Sequence, residues 1–186
     1  MPFAIAAVVL VLIPLLWIGA VYNRLVKTKQ HVGDSWSGID VELKRRYDLI
    51  PNLIETVKGY AAHERDTLEN VVELRNRAVA SNGTAASQAV DEQKLALGLQ
   101  RLFAIAEGYP QLKADTNFLA LQKELAITED RIAAARRFYN ANVRDMNTMC
   151  GSFPTNLLAS MFGFEPETFF ELTSETERVV PRVALG

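Results

Sequence analysis

Cysteine is almost absent from this chain of 186 residues; Cys150 is the single one. No internal disulfide can form, and a cysteine-rich metal site is excluded. An excess of charge of one sign is missing too. Twenty basic side chains stand against 22 acidic ones, with a pI of about 5.8. General nucleic-acid binding wants a strongly basic face, so no nucleic-acid partner is expected. Proline is sparse in the body, at positions 51, 110, 154, 166 and 181, which leaves 52–109 and 111–153 free of it. Sustained period-two alternation is also lacking, which argues against sheet.

What is present is apolar and unevenly spread. Residues 3–22 carry no charge, and only Pro14 and Gly19 interrupt them. A helix rises about 1.5 Å per residue, so this run reaches roughly 30 Å, the thickness of a bilayer's hydrocarbon core. Phe3, Leu10 and Leu16 are typical of its body, and Trp17 and Tyr22 lie near one end, where amphipathic rings favour the interface. A cleaved signal peptide would need a basic start and a shorter apolar stretch, so a retained anchor over residues 1–23 is expected. Arg24, Lys27 and Lys29 follow at once as candidate lipid-headgroup contacts. With Lys44, Arg45 and Arg46 they place the body on the cytoplasmic side of the inner membrane.

The remainder shows apolar residues at three- and four-residue steps. Tyr22, Leu25, Val26, Val32, Trp36, Ile39, Leu43 and Tyr47 form a stripe that continues the anchor directly. Pro51 fits the first turn of a second helix, whose stripe runs through Leu53, Val57, Leu68 and Val71 to Val79. Residues 81–84 break it, and 85–87 read as loop. A third helix spans about 88–107 and a last long one about 116–149. The fold class is therefore all-α: a transmembrane helix continuing into a long-helix antiparallel bundle over 24–150. Residues 151–172 form an apolar carboxyl-terminal segment, and 173–186 read as a loosely ordered tail. Phe153, Leu157, Met161 and Phe162 give that segment an apolar face that must be covered. Its own bundle, a neighbouring subunit and the membrane surface are the three covers open to it.

These residues resemble one family. Residues 21–26 are similar to the juxtamembrane motif of the LemA proteins. So are residues 35–53, with Trp36, Gly38, Arg45, Arg46, Tyr47, Pro51 and Asn52, and then Thr56 to Ala61 with His63 and Glu64. Leu121–Leu125, Thr128, Glu129, Ile132 and the run from Arg136 to Asn140 continue the likeness. Phe153 to Asn156 and Phe162 to Phe164 close it. The resemblance implies a bacterial or archaeal single-span protein with a long-helix bundle and no established enzymatic activity. Some relatives, the MamQ-like proteins, work on magnetosome membranes, and others accompany membrane proteases.

Candidate chemistry is thin. His63-Glu64 opens a zincin motif, but that motif needs a second histidine four residues on, where Thr67 stands. No metal site is expected. Asp40, Glu42, Asp48, Glu55 and Glu64 could supply paired carboxylates, yet they fit a solvated helix face. No glycine-rich phosphate loop exists, and Cys150 beside Gly151 reads as a small apolar residue. No catalytic residue and no cofactor are expected. Arg45 and Arg46 stand about 20 residues beyond the span, too far for lipid from a perpendicular helix. They should pair with acidic residues of 71–77 or of the last helix, or else contact a neighbouring subunit. Arg136, Asn140, Arg144 and Asn147 make a polar edge beside Tyr139, and Asn140 is a candidate oligomer contact. The function these features suggest is a non-catalytic helical scaffold that self-associates at the membrane. Parallel spans would favour cyclic symmetry. The alternatives are an adaptor or regulator of another membrane protein, and a membrane-remodelling factor.

Overall fold

The computed structural model describes residues 2–171, with residues 2 and 4–9 described by their backbone alone. The tail expected at 173–186 lies outside the described residues. Among the described residues six helices follow in order: α1 Pro2–Lys58, α2 Arg65–Ala80, α3 Ala85–Ala106, α4 Pro110–Lys113, α5 Thr116–Gly151 and α6 Thr155–Met161. No strand occurs among the described residues. The described residues divide into two compact units, one of 2–43 with Asp130–Phe169, the other of Lys44–Glu129 with Phe170 and Glu171.

The apolar run and the first bundle helix form one element, as the uninterrupted stripe requires. Burial along α1 follows a three–four step: Ile39, Leu43, Arg46, Ile50, Leu53 and Val57 are all shielded from water. That step is the seam of a coiled-coil-like packing. In α5 the buried positions are Phe118, Leu125, Thr128, Ile132, Tyr139, Val143 and Met146.

In the first unit, four contacts fix the direction of packing. Glu42 meets Arg131 at 3.9 Å, Trp36 meets Tyr139 edge-on at 5.3 Å, and Asn142 Nδ2 donates to the His31 carbonyl at 3.4 Å. Thr28 Oγ1 reaches Met149 Sδ at 3.6 Å. As the number falls along α1 it rises along α5, so the two are antiparallel. Ser35, not Trp36, occupies the seam; its hydroxyl is satisfied by the His31 and Val32 carbonyls at 2.7 and 2.9 Å. A hydroxyl bonded back to its own helix can be buried at little cost.

The second unit departs from the sequence reading in three places. Pro51 does not open a helix; α1 runs through it. Proline removes an interior N–H, which would leave the Tyr47 carbonyl without its helical donor. Arg75 Nε of α2 donates to that carbonyl at 2.9 Å and replaces the lost bond. The helix expected to start at Pro51 and run to Val79 breaks instead at residues 59–64, where Gly59 and Tyr60 turn the chain after α1 and His63 and Glu64 precede α2. His63 is therefore an exposed turn residue. Residues 85–87 are helical, because Thr84 caps α3 by accepting from the Ser87 N–H at 3.3 Å. Between α2 and α3, Gly98 allows close approach: a Cβ there would stand 2.8 Å from Leu74 Cδ1.

Asp115 starts α5. Its Oδ1 accepts from the Phe118 N–H at 2.8 Å and its Oδ2 from the Tyr60 hydroxyl at 3.0 Å. The backbone bond, then the tyrosine, hold this carboxyl below its ordinary value. The stability it supplies should be complete above pH 3.8 and fade as the pH falls through the lowered native value. Acid titration of unfolding should show this component in the wild type and lose it in Asp115→Asn, which keeps the cap without the charge. Asp115→Ala, which loses the cap as well, should lower stability at neutral pH, as chemical denaturation would show.

Candidate functional site

Two constellations stand out, one in each unit. In the first unit, the carboxyl-terminal segment folds against the end of the apolar run. The Phe153–Pro154 bond is cis, and α6 follows it. The helix ends in a Schellman turn: Phe164 N–H donates to the Ala159 carbonyl at 2.9 Å, and Gly163 N–H to Ser160 at 3.4 Å. Gly163 takes φ +70°, a region open to glycine. The turn sends Phe162 and Phe164 onto Tyr22, with ring centroids 4.8 and 6.0 Å away, and Lys29 Nζ lies 5.9 Å from the Phe164 ring.

The chain beyond α6 is then strapped to α5. Asn147 pairs with the backbone of Glu167, donating at 3.0 Å and accepting at 2.7 Å, and Tyr139 donates to the Thr168 carbonyl at 2.9 Å. Burial and then the Glu167 carboxylate raise the Tyr139 pKa. One member of the polar edge, Asn147, and the adjoining Tyr139 therefore hold the strap, and Asn140 is half-buried beside them. Cys150 lies near the Phe164 carbonyl at 3.9 Å, and burial, the first of its causes, raises its pKa. A raised thiol is a poor nucleophile at neutral pH.

The inner face of α6 is buried through Leu158 and Ala159, while its outer face is bare. Phe153 is 80% exposed, Leu157 60%, Met161 64% and Phe162 44%. Above it on α1, Arg24, Lys27 and Lys29 are exposed, and so are Phe3, Leu10, Leu16, Trp17 and Tyr22 of the apolar run.

In the second unit, a charged network is buried. Arg46 and Glu92 are each 2% exposed and pair directly. Arg46 Nη1 also reaches both Glu129 oxygens, at 2.8 and 3.0 Å. The Tyr47 hydroxyl donates to Glu92, and Gln88 Nε2 donates to Glu92 at 2.6 Å and to the Ala78 carbonyl at 3.1 Å. Burial opposes the charge on Arg46, and Glu129 and Glu92 outweigh it, so its pKa is raised. Arg45 pairs with Glu124 at 3.0 Å on the half-exposed rim. Of the acidic partners expected for the two arginines, the last helix supplies Glu124 and Glu129. Residues 71–77 supply none of the recorded pairs; α3 contributes Glu92 instead. The sequence signal for Glu92 was its place in the α3 stripe, four residues after Gln88 and three before Leu95.

Among the described residues no cluster of three or more His, Cys, Asp or Glu is placed to hold a metal. Glu55 meets Lys58 at 3.9 Å, and Glu64 accepts from the Tyr109 hydroxyl at 3.1 Å. A groove of about 710 Å³ opens between the end of α1 and α2, with the buried Ile54 and Leu68 at its floor and the exposed Lys58, Arg65, Glu69 and Val72 at its rim.

The class these features define is a helical bundle protein headed by one helix long and apolar enough to cross a membrane; 11% of that helix's most apolar window is buried. The model of the LemA family matches residues 35–185, and the chain belongs to that family. It is 26% identical over 162 residues to Protein LemA of Metamycoplasma hominis, covering 84% of this chain and 71% of that one. It is also 26% identical over 175 residues to Magnetosome protein MamQ 2 of Paramagnetospirillum magneticum, covering 81% of this chain and 64% of the relative. With Magnetosome protein MamQ of Magnetospirillum gryphiswaldense it shares 25% over 189 residues, covering 87% and 70%.

Removing one partner of a buried ion pair strands the other without compensation. Arg46→Ala should therefore lower stability by about 3–5 kcal/mol, and the double variant Arg46→Met, Glu92→Leu should recover most of it. Chemical denaturation of the three proteins in detergent measures both effects; equal losses in the single and double variants would deny the network its internal role.

Proposed function

We propose that this protein is a single-pass membrane protein whose helices act as a non-catalytic, self-associating scaffold. One observation carries the reading: the uncharged run of residues 3–22 and the buried seam of the bundle belong to a single unbroken helix. A scaffold needs its folded part joined to the bilayer without slack, and a continuous helix does this. The exposed cations Arg24, Lys27 and Lys29 favour a cytoplasmic body, by the positive-inside rule. The exposed apolar faces of the span provide a surface for parallel association, and parallel spans admit cyclic symmetry. Kinship with proteins named for the magnetosome is in keeping with an organising role, including membrane remodelling.

A second reading, an adaptor for another membrane protein, is favoured by the groove between α1 and α2. Its apolar floor and charged rim suit an amphipathic helix.

Leu10→Arg with Leu16→Arg places two charges in the hydrocarbon, at about 2.5–3.5 kcal/mol each. The wild type should stay in the pellet after alkaline extraction, and the double variant should move largely to the supernatant. Mass measurement of the detergent-solubilised wild type should give a multiple of 20.7 kDa. A clean monomer at micromolar concentration would remove self-association, and a stoichiometric foreign protein would favour the adaptor reading.

A further inference from the structure

We infer that α6 is a second membrane contact: its outer edge enters the boundary between headgroups and acyl chains beside the span. The inference rests on the reading that residues 3–22 cross the bilayer, and it assigns the bare face of α6 to lipid.

The argument begins with depth. Counted from Phe3 at about 1.5 Å per residue, Tyr22 stands at the far edge of a hydrocarbon core of roughly 30 Å. Phe162, which follows α6, meets Tyr22 edge-on at 4.8 Å, so α6 is held at that edge by direct contact. The second element is the face. Leu157 and Met161 are one helical turn apart, both mostly exposed, and Phe153 precedes them, 80% exposed. Leu158 and Ala159 are buried inward while Leu157 and Met161 lie bare outward, so apolar surface stands on two sides of the helix, broken by Thr155, Asn156 and Ser160. An exposed apolar edge of this kind calls for a cover.

Charge selects the cover. No ionisable residue other than Cys150 occurs from Met146 to Phe164, between Asp145 and Glu165. The exposed cations Arg24, Lys27 and Lys29 follow Tyr22 within two turns, and Lys29 lies over the Phe164 ring at 5.9 Å. Apolar side chains at the core boundary with cations just outside it match an anionic lipid surface. A second copy of this chain would bring the same cations to the contact, where they would repel. Gly163 turns the chain out of this layer, and the Asn147 and Tyr139 bonds hold it there.

The test uses the full chain with Cys150→Ala, reconstituted in vesicles of zwitterionic and anionic phosphatidyl lipids. An environment-sensitive fluorophore is placed singly at Leu157→Cys, Met161→Cys or Leu16→Cys, and far-UV circular dichroism confirms the fold of each. Quenchers are carried either shallow on a lipid chain or in water as iodide. Labels at 157 and 161 should emit blue-shifted light, lose most of it to the shallow lipid quencher, and resist iodide. Quenching by iodide at both, with the label at 16 still reached by lipid quenchers, would overturn the α6 contact and leave the span standing. Protection from both quenchers would mean cover by protein, and would overturn it in favour of a second copy. A label at 16 untouched by lipid quenchers would overturn the span, and this contact with it.

Discussion

A charge removed from water must meet its opposite, and in the second unit that demand falls on Arg46. It takes a seam position of α1 that an aliphatic residue would normally fill. Glu92 from α3 and Glu129 from α5 close on it, and Tyr47 and Gln88 complete the shell around Glu92. Apolar packing alone tolerates sliding by a turn; three helices converging on one guanidinium do not. A buried polar group at a seam position is a recognised device for fixing register. Gln88 extends the constraint to the last turn of α2 through the Ala78 carbonyl.

The first unit is organised by another requirement, the cover of apolar surface. α1 and α5 satisfy most of it for each other through the buried faces of Leu25, Val32, Ile39, Ile132, Val143 and Met146. The segment after α5 adds a short helix whose inner side is buried and whose outer side is not. The strap from Glu167 to Thr168 prevents that helix from lifting away, because two side chains of α5 hold its backbone. Membership of the LemA family does not by itself assign a reaction.

Much of this was legible in the residues. The uncharged run, the helical periodicity, the start of α5 at Thr116 and a short helix around Leu157 all follow from hydrophobic spacing and from proline and glycine placement. The seam was read through Tyr22 and Trp36, whereas Val21 and Ser35 are buried there. Hydrophobicity ranks tryptophan above serine, but a serine bonded to its own helix fits between close backbones and a large ring does not. Tyr60 and Ala61 keep the helical step going through 59–64, so periodicity hides the turn there. Glu92 could be suspected only as an acidic residue inside an apolar stripe, since its partner lies 46 positions away.

Pro51 has a consequence of its own. By withholding a donor in mid-helix, it leaves the Tyr47 carbonyl as a socket on the flank of α1. The Arg75 plug that fills it is directional and admits a single alignment. A residue better suited to helices at this place would heal the backbone and erase the socket. The irregularity thus works as an address label, telling α2 where along its neighbour to stop.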